Sequence, residues 1–287
     1  MYLRTSRMIK GIHAMPQHLV LGVTLRGMRE LRSKLPSDAV EQVNAKIPLN
    51  KAGQPKYPKN KALNGYVQQL LMAAWEKEDG LAVCERLQKQ GSPHVGEATV
   101  FVSWFLATPI TTLLDALANF LEQQGLREED TYFWVCDYVI RQTDVKTDLA
   151  LLGECVSAVG HTVLLLEPWH APAPLERAYC IKEVYHTQKS GAQFDVVMSS
   201  AQQAAFEVAL VRDFFSIQTS LSKVDVRTAK CLNPDETKRI LDELEEGVGS
   251  VECNSLVIGL MRKALVVQTK AAHARQFNNL DQLFDDL

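Results

Sequence analysis

Apolar and polar positions along this chain fall into two different rhythms. Up to Gly91 the spacing is helical. Leu19, Leu21 to Val23, Met28 and Leu31 predict a helix within Pro16–Lys34. Residues 47–58 carry three prolines and a glycine and are expected to form a loop. Two further helices are expected, over about Leu63–Lys77 and over Gly80–Lys89. Beyond Gly91 the rhythm changes to short apolar, β-branched runs at Thr99–Ser103, Thr131–Val139, His161–Leu166 and Phe194–Met198. Helical stretches stand between and after them, at Pro109–Gln124, Asp148–Val159, Leu175–Gln188 and Ala201–Arg212. In the first of these, Leu113, Leu114, Leu117, Phe120 and Leu121 share a face, and Gly125 supplies the stop. The last section reads as helical again. Lys223–Ala229 is a short strand or a connector, Asn233-Pro-Asp-Glu236 starts a helix, Leu256–Ala274 is another, and Asp281–Leu287 is an acidic, frayed tail.

Strands that alternate with helices imply an α/β fold, with a parallel sheet covered by helices on both faces. The strands are almost continuously apolar, as doubly covered strands are. The expected division is a helical N-terminal region, 1–91, an α/β domain, 92–215, and a helical C-terminal extension, 216–287. Ligands of such sheets sit at the carboxyl ends of the strands. Candidate functional positions therefore follow Ser103, Asp137 and Leu166.

Composition narrows the function classes. Of the 287 residues 46% are hydrophobic and 23% charged, enough for a sizeable core. A net charge of −3 argues against a nucleic-acid partner, which calls for a basic face. No apolar stretch is long enough for a membrane span, and the basic N-terminus lacks a following apolar signal core, so a cytoplasmic protein is expected. The six cysteines form no C-x-x-C pair and lie in apolar contexts, which suits free thiols in a reducing compartment. His94, His161 and His170 lack metal-ligand spacing, and no metal site is expected. There is no G-x-G-x-x-G fingerprint and no P-loop, which disfavours a Rossmann dinucleotide site and an NTPase.

The order of elements and several short motifs resemble the TIR-like domains. His94–Ser103 resembles the first TIR strand, Pro109–Gln124 the first helix, and Tyr132–Asp137 the second strand with an acid at its end. Tyr138–Thr147 stands where those domains carry the BB loop. Pro174-Leu-Glu-Arg-Ala-Tyr-Cys-Ile-Lys-Glu183 resembles the family's W-C-x-x-E helix, with Tyr179 in place of tryptophan. Trp134, Asp137, Gln142, Trp169, Pro172, Pro174, Leu175, Arg177, Cys180 and Glu183 resemble one divergent branch in particular. That branch has a histidine after the first strand, where this chain reads Trp104-Phe105-Leu106.

The resemblance implies a flavodoxin-like parallel sheet and a catalytic role for Glu183 on NAD+, taken as substrate with no cofactor. Breaking the nicotinamide–ribose bond builds positive charge on the ribose, and a carboxylate beside the sugar stabilises it. Nicotinamide leaves neutral, so one carboxylate suffices. The alternative for Glu183 is a solvated helix glutamate. Ser103, Trp104, Asp137, Trp169, Arg177, Tyr179 and Cys180 are the candidate substrate contacts. Each has a structural alternative: Trp169 as a loop anchor, Arg177 in an ion pair with Glu176 or Asp137, Asp137 and Ser103 as partners of the backbone. Tyr179 and Cys180 lie one turn before Glu183 and are expected to pack or hydrogen-bond around it; Cys180 as a nucleophile would need His186 as its base. Three functions remain: an NAD+ glycohydrolase or cyclase working as a homo-oligomer in signalling or defence, a non-catalytic self-association module, and a nucleoside deoxyribosyltransferase-like hydrolase.

Overall fold

The computed structural model describes residues 15–213, 215, 219 and 225–285, with side chains as far as 275. The basic N-terminal stretch, residues 223 and 224 and the last two positions of the acidic tail lie outside this set. In chain order come β1 (Leu21–Val23), α1 (Leu25–Ser33), α2 (Ala39–Asn44), α3 (Gly65–Asp79), α4 (Val83–Lys89), β2 (Val95–Glu97) and β3 (Val100–Ser103). Then follow α5 (Ile110–Gln124), β4 (Phe133–Trp134), α6 (Cys136–Val139), α7 (Val145–Leu149), α8 (Leu152–Val159) and β5 (His161–Leu165). The chain closes with α9 (Ala178–Ser190), β6 (Gln193–Val197), α10 (Ser200–Arg212), α11 (Pro234–Gly247) and α12 (Ser250–Asp285).

The fold is α/β, built on a six-stranded sheet of order β2-β1-β4-β3-β5-β6. The four strands from β4 to β6 run parallel. β1 is antiparallel to both neighbours, so the sheet is mixed rather than parallel throughout. The helix expected within Pro16–Lys34 is thus interrupted: a 3-10 turn and β1 precede a shorter α1. Gly22 permits this, since a Cβ there would lie 2.9 Å from the Tyr132 carbonyl carbon. Thr24 then caps α1 by accepting from the Gly27 N–H at 3.1 Å.

The strand expected over Thr131–Val139 is reduced to Phe133–Trp134, because the chain turns helical at Cys136. That turn buries Tyr138 and Val139 completely. In the segment expected to be the BB loop, Asp148 accepts from the Arg141 N–H at 2.9 Å and Glu76 from the Thr143 N–H at 3.2 Å. Residues 226–228 form a 3-10 connector, not a strand.

Alternate residues of β5 feed two cores. Val163 and Leu165 join a cluster with α5 and α8, while Leu164 and Leu166 join another with α9, α11 and α12. Period-two alternation across a doubly covered strand gives each face its own layer of helices. From β3 the chain crosses by α5 to β4 on one side, then passes back to β5 on the other. The reversal opens a crevice at the carboxyl ends of β3 and β5, where Ser103 and Leu166 lie.

Candidate active site

Helix α9 is docked onto the end of β3 by a row of polar side chains at helical spacing. The Thr187 hydroxyl lies 2.9 Å from that of Thr162 on β5. One turn earlier, Ser103 Oγ donates to Glu183 Oε2 at 2.5 Å. Another turn earlier, Cys180 Sγ donates to the Trp104 carbonyl at 3.5 Å. The i, i+3, i+7 pattern therefore fixes which way Glu183 faces.

Glu183 is 9% exposed and has no cation within ion-pair distance among the described residues. Burial pushes its carboxyl up to about 8, against the lowering effect of the Ser103 hydroxyl and of the neighbouring Cys180 thiol. It lines a cavity of about 250 Å³. Trp104, Cys136 and Gln142 form one side, Arg177, Tyr179 and Cys180 another, and Tyr66 and Gln69 reach in from α3. Cys231 and Glu236 close it from the C-terminal section. Trp104 is 4% exposed, and among the described residues its indole N–H makes no hydrogen bond of normal geometry. Its ring abuts Gly65, where a Cβ would come within 3.0 Å of it. The indole is thus held in place on the cavity wall, and its N–H stands beside the Cys136 sulfur, where burial raises the thiol's pKa and the indole works against it.

Six of the residues expected from sequence meet here: Ser103, Trp104, Arg177, Tyr179, Cys180 and Glu183, with Ser103 behind Glu183 rather than on the cavity wall. The solvated alternative for Glu183 does not hold. Arg177 makes no ion pair with Glu176 or Asp137; its guanidinium lies 5.0 Å over the Phe105 ring, and Nη2 donates to the Tyr66 hydroxyl at 3.4 Å. Tyr179 lines the cavity, and its hydroxyl accepts from Arg239 at 3.3 Å. Burial raises the Cys180 thiol well above its usual range, and His186 faces Glu243 at 3.9 Å, so a Cys180–His186 nucleophile is not assembled. Asp137 is fully buried beside the cavity rather than on its wall. Its Oδ1 has no partner, and burial pushes its carboxyl to about 8, with Gln69 working in the other direction. Trp169 stands elsewhere. Its ring packs edge-on against Phe206 at 5.7 Å and its backbone N–H donates to Gln202, the loop-anchor alternative.

Sequence reasoning missed Tyr66, Gln69, Cys136, Cys231 and Glu236. They come from segments far from the motif, and only Cys136 sits beside a residue singled out from the sequence. Among the described residues no group of three or more His, Cys, Asp or Glu is placed to hold a metal ion. A larger groove along α11 is lined by mixed charges such as Lys238, Asp242 and Glu246 and does not reach Glu183. No family model matches the chain, and neither a curated protein nor a solved structure matches it.

Proposed function

We propose that the chain is a TIR-like NAD+ glycohydrolase or cyclase that cleaves the nicotinamide–ribose bond at Glu183. The observation that carries this reading is a buried carboxyl, Glu183, on the wall of a partly open cavity at the sheet's reversal point, hydrogen-bonded to Ser103 and unpaired with any cation among the described residues. A cavity of about 250 Å³ is below the range of whole-dinucleotide sites and suits nicotinamide with its ribose. Entry of the cationic pyridinium ring favours the ionised carboxylate. As the C–N bond breaks, its electron pair returns to the ring, nicotinamide leaves neutral, and the carboxylate stabilises the oxocarbenium-like ribose. Water then adds to the anomeric carbon and its proton passes to the carboxylate, so NAD+ and water give nicotinamide, ADP-ribose and a proton. The Trp104 ring lines the same space.

The test is nicotinamide release by the purified chain at several protein concentrations, beside Glu183→Gln, with a deoxynucleoside as control substrate. Release that disappears in the folded variant supports the reading. Cleavage of the deoxynucleoside alone moves the assignment to a deoxyribosyltransferase-like hydrolase. A second reading, a self-association module, is favoured by Val208, Val211 and Phe215, which are all exposed at spacings of three and four near the end of α10. Homo-oligomers formed through that stripe, lost on Val211→Asp, with no release from any substrate, would support it.

A further inference from the structure

Arg177 is a wall between two cavities. It lines the one that holds Glu183, and also a second of about 370 Å³ formed by Phe105, the 170–173 turn and the segment Asp225–Lys230. A guanidinium carries five N–H donors in a fixed fork. Here only one long hydrogen bond, 3.4 Å to Tyr66, is made by its side chain among the described residues, and no carboxylate pairs with it. The Phe105 ring beneath holds the plane at 5.0 Å and leaves the fork's edges open. Lys230 is the second cation of this cavity; it is exposed and also makes no ion pair among the described residues. A backbone bridge pairs residue 177 with residue 230, so both cations arise side by side at the same cavity. Of the two acids lining the cavity, Asp225 is already engaged by Arg227, at 2.9 Å and 2.8 Å, and the other is the exposed Glu176.

We infer that this second cavity binds the pyrophosphate of a dinucleotide, so that Arg177 and Lys230 make the chain act on phosphorylated nicotinamide nucleotides and pass over free nucleosides. The orientation rests on the proposed role of Glu183: the ribose lies in the inner cavity and the phosphates across Arg177 in the outer one. An arginine fork suits bidentate phosphate contact, and a lysine adds a point charge.

Binding can be read without catalysis. The full chain is titrated calorimetrically with ADP-ribose and with adenosine, beside Arg177→Met, Arg177→Lys and Lys230→Ala, each checked by thermal unfolding. The expected result is ADP-ribose bound at least about tenfold more tightly than adenosine, a preference that shrinks as salt is raised. Arg177→Met should lose about tenfold, Arg177→Lys should recover part of it, and the exposed Lys230→Ala should lose a few-fold. Equal affinity for the two ligands, or ADP-ribose affinity indifferent to both Arg177→Met and Lys230→Ala, overturns the inference. Nicotinamide release measured in parallel separates the two claims. Release that needs Glu183, with ADP-ribose binding indifferent to the cations, removes the phosphate site and keeps the glycohydrolase. Cation-dependent ADP-ribose binding without release does the reverse.

Discussion

Two pairs of carboxyl groups, each with one member in the segment 135–149, behave in opposite ways. Asp148 is 4% exposed and Glu85 is part-buried, yet both are held below the usual carboxylate range. Burial works against them. It is overcome at Asp148 by His18 and the Arg141 N–H, both at 2.9 Å, and at Glu85 by the Arg141 guanidinium at 2.8 Å. Glu183 and Asp137 lie in more thoroughly desolvated surroundings, have no cation within ion-pair distance among the described residues, and are both pushed up to about 8. Depth of desolvation and a charged or donating partner therefore set the state of a carboxyl group together. The paired acids fasten the N-terminal section and α4 to the turn before α7. The unpaired ones stand at the cavity, where a raised carboxyl is a mark of chemistry more than of architecture.

The largest expected effect breaks the paired side. His18→Ala leaves the Asp148 carboxylate with one backbone donor in a dry site, and should cost about 3 kcal/mol of unfolding free energy in urea at pH 7. A cost near zero would mean that the ion-paired cluster is not holding the N-terminal section.

Next in size, Glu183→Gln should reduce nicotinamide release by about a hundredfold, the order expected for removing one preorganised transition-state partner. The same change should leave stability at pH 7 unharmed, since a neutral amide replaces a carboxyl that is already mostly neutral there. A variant that loses activity and stability together would place Glu183 among the fastening acids instead.

What could be read in the sequence follows the same divide. The parallel strands β3, β5 and β6 and the helices α5 and α9 announce themselves through local apolar periodicity, because each buries its own face. Glu183 and Cys180 are placed by their spacing on one helix, so that part of the site was legible as well; Arg177, expected inside that helix, is its extended N-cap. β1 was not: three residues embedded in a helical rhythm are assigned by the neighbour they pair with, and Gly22 was the one local hint. The cavity walls from Tyr66, Gln69 and Cys231 were equally hidden, since contacts between distant segments leave no local pattern. Trp169 was legible as a loop residue, but its partner Phe206 lies on α10, and only that contact decides between ligand and core.

The pH dependence sharpens the comparison further. Folded Glu183 and Asp137 keep their protons until pH about 8, whereas an unfolded chain releases them near 4, so the native state binds more protons over that window. Their contribution to stability falls as pH rises from about 4 to 8, by at most about 1.4 kcal/mol per unit for each group. Asp148 and Glu85, depressed in the fold, contribute stability at higher pH that is lost as pH falls through their folded values. Unfolding free energy should therefore decline on both sides of a mildly acidic optimum. Nicotinamide release should run the other way on the alkaline side, rising up to about tenfold per unit toward pH 8 if the ionised Glu183 is the active form.

The smallest effect isolates Asp137, which is buried behind the cavity and lines neither of the two spaces that Arg177 divides. Asp137→Asn removes the need to ionise or retain a proton while keeping the shape. At about pH 4 and below the two chains should melt together, because there the carboxyl is largely neutral in the unfolded chain as well as in the folded one. At pH 8.5 the variant should be the more stable by at least about 1 kcal/mol, once the amide's own unmet N–H is set against the relief of charge, which is a rise of a few degrees or more in Tm. A gain of the same size at both values would trace the effect to packing rather than to charge. A loss at pH 8.5 would mean that the Asp137 carboxylate has a partner in the working state, and that the cavity rearranges around it when it ionises.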